Sequence, residues 1–296
     1  MGSFAVLTDS TCDLPQDKLD EYQIDYAPMT YSIGMDDYPA MLDWSIHSPK
    51  EFYDFMRAGT TVKTTQVPAS QFEEHFTSWL DQGLDVLYIS CSSALSGSIN
   101  IARMVAKELA EKYPDRTIYC LDSLISSLGQ GYLVMKAATL RDEGLSVTEA
   151  AEQIEAMKLH VNQFATVGSL EFLRRAGRVT AASSFFGNFL GIKPILISDK
   201  IGQNYAIKKV KGAANVRTEI AGMIKDVVEN PEEQTLYISH ADAIDEANAM
   251  RDVIMNAVPF KDCFISNIAP IVGASVGPGM IGVYCVGKEV TIEGGN

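Results

Sequence analysis

Short apolar runs along the first half of the chain alternate with longer segments in which apolar residues recur every three or four positions. Residues 4–8, 85–89 and 117–121 form such runs, and helical patterns follow at about 98–112 and 126–142. Alternating strand and helix patterns are typical of a mostly parallel sheet with helices on both faces. The first half of the sequence therefore predicts an α/β lobe.

The pattern changes beyond Val161. Two long helical segments, 213–228 and 242–257, interrupt a series of short strand candidates at 163–167, 194–198, 205–209, 235–239, 263–268 and 280–286. This arrangement predicts a second α/β lobe with a mixed sheet. We place the boundary near residue 160, which gives lobes of residues 1–160 and 161–296.

The most distinctive polar segment follows the strand predicted at 85–89. Residues 90–98 contain five serines, and the next helical pattern starts at once. Ligands of open α/β sheets bind at the carboxyl ends of strands, where free N–H groups of helix starts favour an anion. One Ser or Thr would suffice to cap a helix, so the surplus of hydroxyls predicts a ligand site.

Four other segments carry candidate chemistry. Asp9 follows another strand and could orient hydroxyls or hold a metal, although it is more typical of a turn. Thr64 and Thr65, in a predicted polar loop, could donate to a carboxylate or phosphate, or cap a turn. The basic cluster at 173–179 is typical of a solvated helix end but could bind an anion. Three glycines in a predicted loop at 273–279 allow a close backbone approach to a ligand or to another loop.

Composition and charge argue against several function classes. The net charge of -14 disfavours binding to nucleic acid and to anionic membrane surfaces, and no apolar run approaches the length of a membrane span. Five dispersed cysteines indicate reduced thiols, and the first residues lack the features of a signal peptide. These observations predict a cytoplasmic protein without stable membrane insertion.

Familiar catalytic and cofactor motifs are missing from the sequence. It contains no Gly-x-Ser-x-Gly elbow, no phosphate loop, no dinucleotide-binding glycine pattern and no His/Cys spacing typical of zinc. His240, which closes a predicted strand, is the one credible general base, although a helix-start role explains it more simply. Hydroxyls without groups to activate them predict a binding protein with no catalytic residues, metal or cofactor.

Six motifs follow one another along the chain: Thr8-Asp9-Ser10-Thr11-Cys12-Asp13-Leu14-Pro15, Lys63-Thr64-Thr65-Gln66, Ser92-Ser93-Ala94-Leu95-Ser96-Gly97-Ser98, Gly177-Arg178-Val179, Gly187-Asn188-Phe189-Leu190-Gly191-Ile192-Lys193-Pro194-Ile195 and Gly277-Pro278-Gly279. With these motifs the chain resembles the DegV family of bacterial fatty-acid-binding proteins, to which the FakB subunits of fatty acid kinase belong. The resemblance extends over about residues 4–288.

The resemblance implies a two-lobed α/β fold of the DegV type with one long-chain fatty acid buried between the lobes. By position, Thr64 and Ser96 match the family residues that hydrogen-bond the carboxylate, and Arg178 matches an arginine near the head group. Ser275 stands where many members have a histidine that would polarise the carboxylate more strongly. The expected ligand-binding residues are Thr64, Ser96, Arg178, Ser275, Ser93 and Gly97.

The resemblance also implies a partner. In fatty acid kinase the binding protein presents its acyl carboxylate to a separate ATP-dependent kinase subunit, the acyl phosphate feeds lipid synthesis, and the binding protein itself catalyses nothing. Two departures concern this part of the resemblance: Lys211 replaces an arginine that meets the kinase in FakB proteins, and Val67 replaces a common proline.

Physical reasoning leaves the details of the ligand open. Aromatic and aliphatic residues that could line a tail slot, or belong to the core, are Phe185, Phe186, Phe189, Leu190 and Ile192. One alternative function is an acyl hydrolase or transferase with Ser96 as nucleophile and His240 or Asp122 near it. Another is a carrier of a different amphipathic anion, such as a retinoid or a lysolipid.

Overall fold

The computed structural model describes residues 4–180 and 191–294, which form two α/β lobes. The strands are β1 (Phe4–Asp9), β2 (Ile24–Ala27), β3 (Thr30–Ile33), β4 (Asp36–Pro39), β5 (Val62–Thr65), β6 (Asp85–Ser90), β7 (Ile118–Asp122), β8 (Val161–Thr166), β9 (Ile192–Ser198), β10 (Asn204–Lys211), β11 (Thr235–His240), β12 (Asp262–Asn267) and β13 (Ile281–Val286). The helices are α1 (Gln16–Glu21), α2 (Pro49–Arg57), α3 (Ala69–Asp81), α4 (Ser98–Lys112), α5 (Ser127–Asp142), α6 (Val147–Met157), α7 (Glu171–Ala176), α8 (Ala213–Val227), α9 (Ile244–Ala257) and α10 (Pro270–Val276).

The first lobe is built on a four-stranded parallel sheet in the order β2-β1-β6-β7. Its central strands are buried on both faces, since Leu7 and Tyr88 belong to one apolar cluster whereas Val6 and Leu87 belong to another. Continuous apolar runs are typical of parallel strands that helices cover on both sides. The predicted parallel α/β lobe is therefore confirmed.

A small antiparallel sheet in the order β4-β3-β5 was absent from the prediction. The prediction of a polar loop around Thr64 is wrong. This segment is strand β5, in which Thr64 lies opposite Tyr31 and Val62 lies opposite Ile33. The residues of β5 alternate between half-buried and exposed positions, as expected for a strand in a sheet with one covered face. Strands β2 and β3, which follow each other closely in sequence, belong to different sheets.

The second lobe contains the predicted mixed sheet, which has six strands in the order β10-β9-β8-β13-β11-β12. One face packs on α8 and α9 through residues such as Val283 and Ile238. From the opposite face, Tyr284 and Val161 join the apolar cluster of α5 in the first lobe. Helix α5 thus lies between the two sheets, and the polar cleft of the molecule develops beside its first turn.

Helix α10 also crosses between the lobes and corrects the prediction of a loop from Gly273. It packs against α2, β3 and β5 of the first lobe. The Asp13 carboxylate accepts the Ala269 N–H at 2.9 Å, and the Tyr53 hydroxyl donates to the Ile268 carbonyl at 2.7 Å. A Cβ at Gly273 would lie 2.5 Å from the Tyr53 hydroxyl oxygen, so glycine permits this close approach.

The sequence predicts that the chain has no membrane-spanning segment and that its cysteines are reduced. In residues 4–180 and 191–294, no helix combines the length and apolar character that a membrane crossing requires. All five cysteines lie within these ranges and are free.

Candidate functional site

A cavity of about 400 Å³ lies between the lobes, beside the carboxyl ends of the parallel strands. This volume is within the range typical of small-molecule sites. Its lining residues are Thr11, Met29, Thr64, Thr65, Gln66, Cys91, Leu95, Ser96, Gly97, Ser126, Ser127, Gln163, Leu173, Arg178, Asn204, Ile271, Val272, Ser275, Val276, Met280 and Tyr284.

Five of the six expected ligand-binding residues line this cavity: Thr64, Ser96, Gly97, Arg178 and Ser275. They come from β5, the start of α4, the end of α7 and α10, which are far apart in sequence. The sixth, Ser93, is exposed and is not among the lining residues; its N–H donates to Asp122 Oδ1 at 3.0 Å. The serine loop thus divides into an outward part at Ser93 and an inward part at Ser96.

Thr64 and Ser96 reach the same cavity because hydrogen bonds join the segment after β5 to the serine loop. The Val67 N–H donates to the Ser98 hydroxyl at 3.2 Å, and that hydroxyl lies 3.1 Å from Ser96 Oγ. A Cβ at Gly97 would collide with the side-chain oxygen of Gln66, so glycine at this position leaves space for the Gln66 side chain between the two segments. The role of Gly97 that this geometry supports is steric.

Arg178 closes one side of the cavity. It follows Gly177, whose left-handed conformation (φ 69°) ends α7, as the basic cluster at 173–179 predicts. Its guanidinium Nε donates to the Leu95 carbonyl at 3.1 Å, which joins α7 to the serine loop. The arginine therefore spans the opening between the second lobe and the first.

A second depression of about 370 Å³ adjoins the cavity, and Thr64, Arg178 and Ser275 line both. Lys63 and Arg175 also line this outer depression. In a chain with a net charge of -14, three cationic side chains around one depression create a local field that favours an anion. We call this depression the outer pocket.

Ser275 reaches the cavity because α7 and α10 approach closely. A Cβ at Gly277 would lie 2.6 Å from Cγ of the Phe172 ring, and Gly277 has a φ of 76°. Both constraints favour glycine at this position. The glycine thus fixes the end of the helix that carries Ser275.

A buried hydrogen-bond network supports the floor of the cavity. One Asp9 carboxylate oxygen accepts the Thr11 N–H at 3.1 Å and the other accepts the Tyr88 hydroxyl at 2.8 Å and the Cys91 N–H at 3.3 Å. Asp9 therefore shapes the turn after β1 and joins it to the end of β6. In the described part of the chain, no cluster of His, Cys, Asp and Glu side chains could hold a metal ion.

The residues of a serine nucleophile mechanism do not meet. His240 Nδ1 accepts the Ala243 N–H at 3.2 Å, and Asp122 Oδ1 accepts the backbone N–H groups of Ser93 and Leu124. Burial lowers the pKa of His240, so its imidazole is neutral at pH 7. The Ser96 hydroxyl instead shares its hydrogen bonds with Ser98, so neither candidate base is in position to activate it.

Several lining residues were not predicted from the sequence. Ser126 and Ser127 follow β7 just as the serine loop follows β6, so the rule of polar strand ends could have identified them. Gln163, Asn204 and Tyr284 lie within strands of the second sheet. No local signal distinguishes such residues, because only the packing of the lobes turns that face of the sheet towards the cavity.

The apolar part of the lining comes from both lobes. Its members are Met29, Leu95, Leu173, Ile271, Val272, Val276 and Met280. Ile192 lies at the start of β9 and is not among the lining residues. The other proposed tail-slot residues, Phe185, Phe186, Phe189 and Leu190, lie outside the described residues.

The cavity thus combines hydroxyl and amide side chains and one guanidinium with apolar residues from both lobes, and its opening at the outer pocket is cationic. Hydroxyls and an arginine satisfy a carboxylate or phosphate, whereas the apolar wall suits a hydrocarbon. The arrangement can bind an amphipathic anion.

Comparisons with known proteins agree with this chemistry. The model of the DegV family, described as an uncharacterised protein family, matches residues 3–288. A DegV domain-containing protein of Clostridium perfringens is 33% identical over 287 residues, which cover 97% of this chain and 98% of the relative.

Two solved structures are also similar. A DegV family protein of Thermus thermophilus, whose structure is described as fatty acid binding, is 26% identical with a TM-score of 0.86 and covers 97% of this chain and 100% of its own. DegV of Bacillus subtilis, described as a fatty acid binding protein, is 25% identical with a TM-score of 0.82 and the same coverage.

Proposed function

The protein belongs to the DegV family, and we propose that it binds one long-chain fatty acid in the cavity between its lobes. The observation that carries this proposal is the pairing, in one cavity, of hydroxyl donors at a cationic opening with an apolar wall. The two solved relatives described as fatty acid binding support the same ligand class.

The energetics of such a ligand require both parts of the cavity. Each methylene that leaves water contributes about 0.8 kcal/mol, so a long acyl chain supplies on the order of 10 kcal/mol before the costs of association. A buried carboxylate without partners would cancel much of this gain. Thr64, Ser96 and Ser275 offer hydroxyl donors, and Arg178 offers charge at the opening.

We further propose that the carboxylate faces the outer pocket, where a separate ATP-dependent kinase subunit would phosphorylate it. Thr64, Arg178 and Ser275 line both the cavity and the outer pocket, so a head group held there would be reachable from outside. Lys211, at the end of β10, is exposed and available to a partner. The chain itself would catalyse nothing, because neither His240 nor Asp122 contacts the Ser96 hydroxyl.

The first test is denaturing extraction of freshly purified protein followed by mass spectrometry of the released small molecules. A stoichiometric long-chain fatty acid would support the proposal. A retinoid or lysolipid would assign a different amphipathic ligand to the cavity. An empty protein that also fails to take up added fatty acid would contradict the proposal.

The second test addresses presentation. Fatty-acid-loaded protein is incubated with a bacterial fatty acid kinase subunit and ATP, and acyl phosphate is measured against loaded protein without the kinase. Product that requires the kinase supports presentation. Binding without phosphorylation would leave a carrier function and reject the kinase partnership with that subunit.

A further inference from the structure

A third pocket of about 200 Å³ lies on the far side of one cavity wall. Its lining residues are Tyr132, Val161, Glu233, Gln234, Thr235, Tyr237, Tyr284, Cys285 and Val286. Among the described residues, Tyr284 alone lines both this pocket and the interlobe cavity. We call this space the rear pocket; Tyr284 is the residue that its lining shares with the cavity.

Helix α5 shows how the two spaces are related. The cavity touches α5 at Ser126 and Ser127, and the rear pocket touches it at Tyr132. Between them, the Tyr284 ring lies against Gly129. Since a helix rises about 1.5 Å per residue, the rear pocket begins roughly 7.5 Å further along α5 than the first turn at Ser127.

Two glycines from different elements form a seat for the Tyr284 ring. A Cβ at Gly129 would lie 3.0 Å from Tyr284 Cδ1 and closer still to the Ile125 side chain, and a Cβ at Gly282 would lie 2.7 Å from the Tyr284 hydroxyl oxygen and 2.8 Å from Ser239 Oγ. The two glycines therefore leave room for the ring beside Ile125 and Ser239. Tyr284 is only 1% exposed.

The hydroxyl end of Tyr284 is also held. Its oxygen lies 3.4 Å from Ser239 Oγ, which in turn lies 3.1 Å from Ser127 Oγ. Burial raises the pKa of Tyr284 to about 12, so the hydroxyl stays protonated and uncharged. The side chain is therefore a fixed wall and not a mobile surface residue.

We propose that Tyr284 ends the acyl slot and sets the longest chain that the protein accepts, and that the rear pocket is an extension of the slot closed by this one ring. The inference rests on the proposed binding of a fatty acid in the interlobe cavity. It identifies Tyr284 as the residue of that site that selects fatty acids by their length. Replacing the ring with a smaller side chain would join the two spaces.

The test compares delipidated wild-type protein and Tyr284→Leu in their affinity for a series of saturated fatty acids of increasing length. Wild-type affinity should rise with length, reach a maximum and then fall. In Tyr284→Leu the maximum should move to longer acids, and each methylene that enters the rear pocket should tighten binding about fourfold. Tyr119→Leu, which removes a tyrosine that lines neither space, should keep the wild-type maximum.

A double variant checks that the gain uses the rear pocket. Val161 lines that pocket but not the cavity, so adding Val161→Phe to Tyr284→Leu should fill the new space. The maximum should then return towards the wild-type length. A maximum that remains at longer acids would show that the extra chain lies elsewhere and would overturn the assignment.

Two outcomes separate this inference from the proposed function. If wild-type protein binds none of the acids, the proposed function fails. If wild-type protein binds them and a folded Tyr284→Leu keeps the same maximum, only the role of Tyr284 fails. Should Tyr284→Leu not fold, wild-type protein crystallised with a terminally brominated acid of the preferred length decides: bromine density against the Tyr284 ring supports the inference, and bromine elsewhere overturns it.

Discussion

Removing the hydroxyls of Thr64 and Ser96 together should sharply weaken fatty-acid binding while leaving the fold intact. Both side chains are half-buried and line the cavity, and Thr64 also lines the outer pocket. A hydrogen bond to a charged group contributes about 1.5–3 kcal/mol. Loss of two such bonds therefore predicts a loss of about 3–6 kcal/mol in binding free energy, which corresponds to roughly 100- to 20,000-fold weaker binding.

The stability cost of the double variant should be small by comparison. Ser96 Oγ lies 3.1 Å from Ser98 Oγ and accepts the Ser98 N–H at 3.3 Å, so Ser96→Ala removes local bonds within one loop. Each such neutral bond contributes about 0.5–1.5 kcal/mol. Thr64→Ala keeps the backbone pairing of β5 with β3. The variant should fold.

The assay is calorimetric titration of delipidated protein with a fatty acid of the preferred length, with thermal unfolding measured in parallel. Ser93→Ala is the matched control, because Ser93 belongs to the same loop but is exposed and does not line the cavity. It should bind like the wild type. Unchanged affinity in a folded Thr64→Ala/Ser96→Ala variant would refute the head-group assignment.

Three further outcomes are expected. Arg178→Ala should weaken binding about fivefold, since an exposed charge contributes about 1 kcal/mol, and Arg178→Lys should lose less in the same titration. Asp9→Asn should lower the free energy of unfolding in urea by about 2–3 kcal/mol, because an amide N–H₂ replaces an acceptor of buried donors such as the Tyr88 hydroxyl. Burial raises the pKa of Asp13 to about 8, so the native state holds this proton more tightly than the unfolded chain does. Stability should therefore fall as pH rises from about 4 to 8, by at most about 1.4 kcal/mol per pH unit, and Asp13→Asn should flatten that slope in urea titrations at each pH.

The serine loop shows how far local reasoning extends into the site. Its hydroxyls follow β6 at the carboxyl end of a parallel strand, and the general rule for such sheets correctly points to a cavity there. The same rule cannot separate Ser93 from Ser96, because both are serines in one loop. Residues from other parts of the chain, Val67 and Arg178, contact this loop at Ser98 and Leu95, beside Ser96.

Errors in the fold prediction have a common cause. β5 and α10 are short elements whose neighbours are remote in sequence, since β5 pairs with β3 and α10 packs on α2, β3 and β5. Their local composition of threonines or glycines is also typical of loops. Tertiary contacts decided their conformation, as is usual where intrinsic propensity is weak.

Hydrophobic periodicity and strand-end chemistry are local properties, so they were enough to predict two α/β lobes, a mostly parallel first sheet and the polar ends of its strands. Which hydroxyls face the cavity, how α10 brings Ser275 to the first lobe and why Tyr284 lines both the cavity and the rear pocket became visible in the folded molecule. These features arise where one lobe packs on the other, and the packing of remote segments leaves no periodic trace in the sequence.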